Sequence, residues 1–461
     1  MPSSKPLNPV TPLSWWRKAR TITPDPAQLD ILTYEAHSAS KFDETDFIYL
    51  KTLWKNKKVT EFHINDYARA GYVRTAREFV RQMPGPPSEQ EQQPLCPLRQ
   101  NMITFINTAT APFRPNDLAN VQLGAFLVTK WLLEQTRSVN NQGRHVGGDT
   151  IKIVRRSARL EQQREAKAAA ERKKEEASLN KQVIGATDSM ADTQELDVLS
   201  PETMGLESVR SEDEEIVNSV LVNLLATLTL CSGIMSTNGR EGLQWLPKRQ
   251  FFLLGSANNT VCEARTDGVL RNYHPGTPNC GDPLAILEVK PYNRYWSQAK
   301  IEWQEACQMA AWISTSLRVK TAEKRRAGSL SVSDSTNKRR ILISQDYRFL
   351  YLTVGEWGKG YETYLSGGGL RPETPPSKNS SPTQNRGRAD AKPTTTGPEP
   401  QPQADPARAV GPRQPTPEDL DEGNFLVMNC YGAYSLDDPQ HLRLFIRNVL
   451  ALMLELSDPW G

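Results

Sequence analysis

The chain lacks the marks of several function classes. Its six cysteines, Cys96, Cys231, Cys262, Cys280, Cys307 and Cys430, contain no C-x-x-C pair, so they suggest neither a zinc site nor a disulfide framework. The five histidines, His37, His63, His145, His274 and His441, show no H-x-x-x-H spacing, which leaves no histidine base or zinc ligand to assign. No serine nucleophile elbow, P-loop or dinucleotide fingerprint occurs. No apolar run approaches the roughly 18 residues needed to span a bilayer, and the opening "MPSSKPLNPVTPLSWWRKAR" has no apolar core of a secretion signal. The expectation is an intracellular, reduced, soluble protein without a membrane partner. Hydrophobic residues are scarce, at 38%, whereas prolines number 33 among 461 residues. That balance points to a globular part carrying long disordered segments. A net charge of +3 does not by itself announce a nucleic-acid binder, so any such affinity must come from local clusters.

The length allows about two or three domains. Residues 1–95 form a mostly helical N-terminal region, in which "DETDFIYLKTLWKNKKV" and "INDYARAGYVRTAREFVRQM" read as short helices with aromatic anchors. Residues 96–140 hold a further helical segment, with Leu118, Val121, Ala125, Val128 and Leu132 at helical spacing. Residues 141–210 comprise a charged, alanine-rich helix former, "RSARLEQQREAKAAAERKKEEASLNK", and a polar linker expected to be disordered. Order returns at 211–461. "SEDEEIVNSVLVNLLATLTLC" makes a nearly buried helix, with Val217, Val220, Leu221, Leu224 and Leu228 on one face and Ile216, Val222 and Leu225 widening it. Three strand-like runs come next, "QFFLLG", "VCEARTDGVL" and "LAILEVK". After them stand the helix "SQAKIEWQEACQMAAWISTSL", two strands in "RRILISQDYRFLYLTVGEW", and a strand and closing helix at the end. Residues 366–422, rich in proline and serine, are an expected disordered insertion. The fold class is therefore mixed α/β, with a central sheet flanked by helices.

The run "DPLAILEVK" carries Glu288 and Lys290 on one side of an apolar strand, because residues i and i+2 share a face. Two charges there are costly to bury unless paired or used to hold an ion. "EARTDGVL" places Asp267 at the end of a neighbouring strand, and two carboxylates on adjacent strands make a hard oxygen site suited to Mg²⁺ or Mn²⁺. A lysine beside them can orient a water or offset charge building on a phosphate.

Asp267, the triplet Glu288-Val289-Lys290 and the helix–strand–strand–strand–helix–strand order together resemble the PD-(D/E)XK nuclease superfamily, and within it the nuclease-like domains of fungal proteins. The resemblance covers residues 211–461. It implies a restriction-endonuclease-like core, phosphodiester hydrolysis by an endonuclease or exonuclease mechanism, and Mg²⁺ or Mn²⁺ held by Asp267 and Glu288, with Glu214 helping directly or through water. It also implies an acid on the first helix and a glutamine on the helix after the E-x-K strand. Glu214 fits the former, three and seven residues before Val217 and Leu221, with Glu215 pointing roughly opposite. Gln304 fits the latter, and Gln308 lies one turn further along the same face. Thr266 stands where the pattern has proline. Asp282-Pro283, only six residues before Glu288, is expected to start that strand as a turn or cap. E-x-K alone is a weak signal, since Glu165-Ala166-Lys167 and Glu171-Arg172-Lys173 repeat it in a charged helix.

The implied partner is nucleic acid, with DNA favoured, and protein partners could dock on the disordered segments. Basic clusters at Arg318–Arg326 and at "NKRR" (337–340) flank a polar loop and have the form of a nuclear-import signal; as a solvated loop they would serve solubility instead. Arg294, Tyr295 and Trp296 would either grip a strand of nucleic acid or pack as a cap on the next helix. Two further readings stand beside the hydrolase: an inactive nuclease-fold module that binds nucleic acid or protein, and a structural protein in which Glu288 and Lys290 form only an ion pair.

Overall fold

Residues 8–34, 36, 38–81, 97–111, 123–142, 214–231, 242–255, 259–273, 282–327, 338–367 and 413–457 are described by the structure, a computed structural model. The charged helix expected over 156–181, the polar stretch after it, and residues 368–412 of the expected insertion lie outside the described residues.

The N-terminal segment contributes α1 (Pro12–Ala19), α2 (Glu44–Tyr49), β1 (Thr52–Lys57), α3 (Ala70–Val80), α4 (Pro97–Asn107) and α5 (Phe126–Gln142). Beyond it come α6 (Glu214–Cys231), β2 (Gly242–Leu246), β3 (Phe251–Gly255), β4 (Thr260–Arg265), β5 (Gly268–Tyr273) and β6 (Ala285–Lys290). The chain closes with α7 (Gln298–Ala327), β7 (Lys338–Asp346), β8 (Phe349–Trp357), α8 (Lys359–Leu365), β9 (Leu426–Ser435) and α9 (Pro439–Ser457). Among the described residues, seven strands form one mixed sheet in the order β1-β9-β8-β7-β6-β5-β2, and β3 with β4 forms a separate hairpin. β6 and β7 run parallel, which a tight turn cannot achieve, and α7 supplies the crossover between them.

Alternation along β6 divides the core. Ala285, Leu287 and Val289 pack on one side of the sheet with Val217, Val220, Leu221 and Leu224 of α6 and Phe445 and Val449 of α9. Ile286 packs on the other side with Ala306, Met309, Ala310 and Ile313 of α7. Glu288 has the parity of Ile286, so its carboxylate is delivered to α7.

Several local expectations change. "VCEARTDGVL" is not one strand: it divides at Thr266-Asp267 into β4, in the hairpin, and β5, in the main sheet, and β2 precedes them as a strand not expected from the sequence. "DETDFIYLKTLWKNKKV" is not one helix: α2 stops at Tyr49, Lys51 takes a left-handed φ of 48°, and residues 52–57 become β1, paired in parallel with β9. Burial of Thr52, Leu53 and Trp54 in the sheet outweighs the helical spacing. In α5 the buried positions are Phe126, Thr129, Lys130, Leu133 and Thr136, whereas Val128 is 50% exposed. The helix begins only at Phe126, after Gly124 at a φ of 48°, and Lys130 turns inward to donate to the carbonyls of Thr108 and Ala111 beyond the end of α4.

Candidate active site

Asp267 sits in the two-residue link between β4 and β5 rather than within a strand. Its own amide donates to the Leu287 carbonyl at 3.0 Å, and its Oδ2 accepts from the Val289 amide at 2.9 Å. The carboxylate is thereby clamped across the backbone of the E-x-K triplet. Gly268 permits this approach: a Cβ there would lie 2.9 Å from both the Leu246 carbonyl oxygen and Leu287 Cδ1.

Glu288 is 2% exposed. Lys290 Nζ donates to its Oε1 at 2.5 Å, and Gln304 Nε2 donates to the same oxygen at 2.6 Å. Gln308 Nε2 donates to Oε2 and also to the Arg265 carbonyl. Both glutamines therefore converge on the carboxylate from α7, one helical turn apart. Lys290 Nζ also lies 3.6 Å from Oε1 of Glu214, at the start of α6. The five residues expected from the sequence, Glu214, Asp267, Glu288, Lys290 and Gln304, are thus brought together.

Three carboxylates surround one ammonium, and burial dominates their titration. Desolvation pushes Glu288 up to about 8, against the charge of Lys290 and with help from Asp267. Asp267 is raised by burial despite the Val289 amide and Lys290. Glu214 is raised by burial, partly offset by Lys290. Burial alone would lower Lys290, but Glu288, Glu214 and Asp267 outweigh it and hold the ammonium protonated above its ordinary value. Burial thus disfavours the charged form of all three acids, and Lys290 is the cation that offsets this penalty.

Beside Asp267 opens a cleft of about 280 Å³, lined by Glu215, Asn218, Ser219, Val222, Asn223, Pro247, Arg249 and Asp267. Glu215 does not point away from the site as its spacing suggested; it shares this cleft with Asp267 and pairs with Arg249 at 2.9 Å. Arg249 and the amides of α6 were not singled out by motif. The signal for the helical ones was there, because positions 215, 218, 219 and 223 form a polar stripe on an otherwise apolar helix.

Other candidates find structural employment. Asp282 accepts from Trp312 Nε1, Ser316 Oγ and Arg340, before the start of β6. Arg294 is buried against Asp346, Glu305 and Ser344, so its guanidinium is not presented to a nucleic acid; Tyr295 is 80% exposed. Lys338 donates to Glu362, Arg339 to the carbonyls of Asp66 and Tyr67, and Arg340 to Asp282, which ties the second basic cluster to the fold.

Among the described residues, no group of three or more His, Cys, Asp or Glu side chains is arranged to hold a metal ion. A closed protein cage of the zinc kind is thereby absent there. Two carboxylates with water completing the shell is the donor chemistry of Mg²⁺, which dehydrates reluctantly and is held by one or two carboxylates. Asp267 and Glu288 are of that type, but Asp267 Oδ2 and both oxygens of Glu288 already accept hydrogen bonds, so a cation would have to displace Lys290 or a glutamine. Among the described residues no helix is long and apolar enough to cross a membrane. No family model matches the chain, and no curated protein or solved structure matches it either.

Proposed function

We propose that the protein is a PD-(D/E)XK-type phosphodiester hydrolase with a restriction-endonuclease-like core, using Mg²⁺ or Mn²⁺ on nucleic acid, with DNA favoured. The observation that carries this reading is the clamp of Asp267 onto the strand that bears Glu288 and Lys290, with all three joined through Lys290 and the Val289 amide. Asp267 and Glu288 would hold the cation, with Glu214 helping directly or through water. The bound metal supplies Lewis acidity, neutralising phosphate charge and lowering the pKa of a bound water. Lys290 orients the attacking water and stabilises the negative charge that grows on the phosphoryl oxygens. Gln304 and Gln308 fix the Glu288 carboxylate so that its orientation need not be found during reaction. Asp267 keeps its own direction through the Val289 amide.

One observation favours the second reading, an inactive nuclease-fold module that binds nucleic acid or protein. Both oxygens of Glu288 are already satisfied by Lys290, Gln304 and Gln308, so the network is closed without a metal. Melting temperature against Mg²⁺ and Mn²⁺ concentration separates the two. The hydrolase reading predicts a rise equivalent to about 2.7 kcal/mol at a hundredfold excess over Kd, and its loss in Asp267→Ala. An unchanged melting temperature in both proteins would favour the binding module.

A further inference from the structure

We infer that the cleft beside Asp267 seats one nucleotide of a single-stranded nucleic acid, with Arg249 as the ligand of its phosphate and Asn218 and Asn223 as the groups that read its sugar or base. The inference rests on the hydrolase reading for its substrate class, and it assigns residues that reading does not use.

The wall of the cleft is chemically unlike the rest of α6. Val217, Val220, Leu221, Leu224, Leu225 and Leu228 are wholly buried, whereas Glu215, Asn218, Ser219 and Asn223 line the cleft with Val222. Positions i, i+3, i+4 and i+8 of a helix lie on one side, so this polar stripe is continuous. Arg249 faces it from the β2–β3 link and is the one cation among the described residues that line the cleft.

Arg249 is held in a replaceable way. Its side chain is 67% exposed and that of Glu215 is 66% exposed, and an ion pair so hydrated contributes little. A phosphate offers the guanidinium the same planar, paired acceptors with more charge. Glu215 therefore stands, in its contact with Arg249, where a phosphate oxygen would stand. Asn218 adds a second, independent observation. Its Nδ2 lies 3.4 Å from the Asp267 carbonyl, and its Oδ1 is buried with no hydrogen-bond partner among the described residues. A buried acceptor left without a donor is costly, and rotation of the half-buried side chain towards the cleft would let a sugar hydroxyl or an exocyclic amino group of a base satisfy it. The volume of about 280 Å³ falls just below the usual range for ligand sites, roughly 300–1,000 Å³. It suits one nucleotide rather than a duplex groove. Asp267 in the same wall places that nucleotide next to the carboxylate assigned to the cation.

The test is fluorescence anisotropy of the full chain with a labelled single-stranded oligonucleotide in EDTA, over a salt series, with cleavage measured in parallel in Mg²⁺. Arg249→Gln is expected to weaken binding roughly ten-fold, the value of one charge-assisted hydrogen bond, and to lower the salt slope by about 1. Glu215→Gln is expected to tighten binding, because it frees Arg249 and removes a negative charge from the cleft. Asn218→Ala is expected to weaken binding without changing the salt slope. A merely structural role for Glu215 would not produce tighter binding. If the parent cuts nucleic acid while Arg249→Gln binds with parental affinity and slope, this inference falls and the hydrolase reading stands. If the Arg249 and Glu215 effects appear but nothing is cut in any metal, the cleft assignment stands and hydrolysis falls. If an unlabelled duplex competes better than the single strand, the assigned substrate class is wrong. If the parent binds no oligonucleotide, both readings fall.

Discussion

Glu288→Ala is expected to lower metal-dependent cleavage by about 10³-fold or more, at or beyond the upper end of the loss caused by removing one electrostatic contributor at a reacting centre. The substitution removes a proposed metal ligand and also the group on which Lys290, Gln304 and Gln308 converge. Gln304→Ala leaves the carboxylate in place and only loosens it, so its expected loss is smaller, roughly 10–100-fold. Single-turnover cleavage rates of the two variants give the comparison. The isosteric Glu288→Gln separates charge from packing. In the metal-free protein the Glu288 carboxyl titrates near 8 in the fold, against an ordinary value of 4.5. The folded state thus holds this proton more tightly than the unfolded chain does, and its contribution to stability falls as pH rises from about 4.5 to about 8. Lys290 is raised above 10.5, keeps its proton throughout that window and adds no slope there. Glu288→Gln should therefore flatten the decline in denaturant-measured stability across this range. An identical pH profile in parent and variant would show that Glu288 is ionised in the fold throughout.

The largest stability effect is expected at Arg294. Its guanidinium, 4% exposed, donates to Asp346 Oδ2 and to Glu305 Oε1 at 2.5 Å each and to Ser344 Oγ at 3.1 Å. It lies 4.1 Å from the centroid of the Tyr351 ring. Asp346 and Glu305 are both fully buried, so two carboxylates share one cation, and burial raises both of their pKa values against the pull of Arg294. Arg294→Met fills the volume but strands both acids. Breaking a buried pair from one side costs about 3–5 kcal/mol, or roughly 6–20 °C in melting temperature for a domain of 150–250 residues. The loss should be smaller at pH 5 than at pH 8, because the stranded acids can then hold protons. Calorimetry at the two pH values checks both the size and the sign. The cluster also backs the candidate site: Asp346 is the register partner of Lys290, and the Tyr347 amide donates to the Lys290 carbonyl at 2.9 Å. Activity should fall along with stability.

The features legible in the sequence were local ones. Glu288 and Lys290 share a face because they are two residues apart, and Gln304 and Gln308 share one because they are four apart; neither needs tertiary knowledge. Asp267 was legible because it precedes a glycine in a strand-like run, although it proved to lie in the link between two strands. The apolar face of α6 was legible for the same reason of period. Arg249 was not, since it stands in a short link whose only distinction is the wall it meets in space. The pairing of β1 with β9 joins segments from opposite ends of the chain, and no local pattern in "KTLWKNK" announces a partner so far away. In α5 the helical period was right but the face was not, because Phe126 stacks on Phe105 of α4 and turns Val128 outward.

The most direct measurement is cleavage of single-stranded and double-stranded DNA and of RNA by the full chain in Mg²⁺, Mn²⁺ or EDTA, run beside Lys290→Ala. Hydrolysis that requires the divalent ion and disappears in Lys290→Ala, while that variant still gains thermal stability from Mn²⁺, is the predicted result. Equal cutting by parent and variant, or no cutting by either in any metal, would contradict the catalytic role given to the lysine and its two acids.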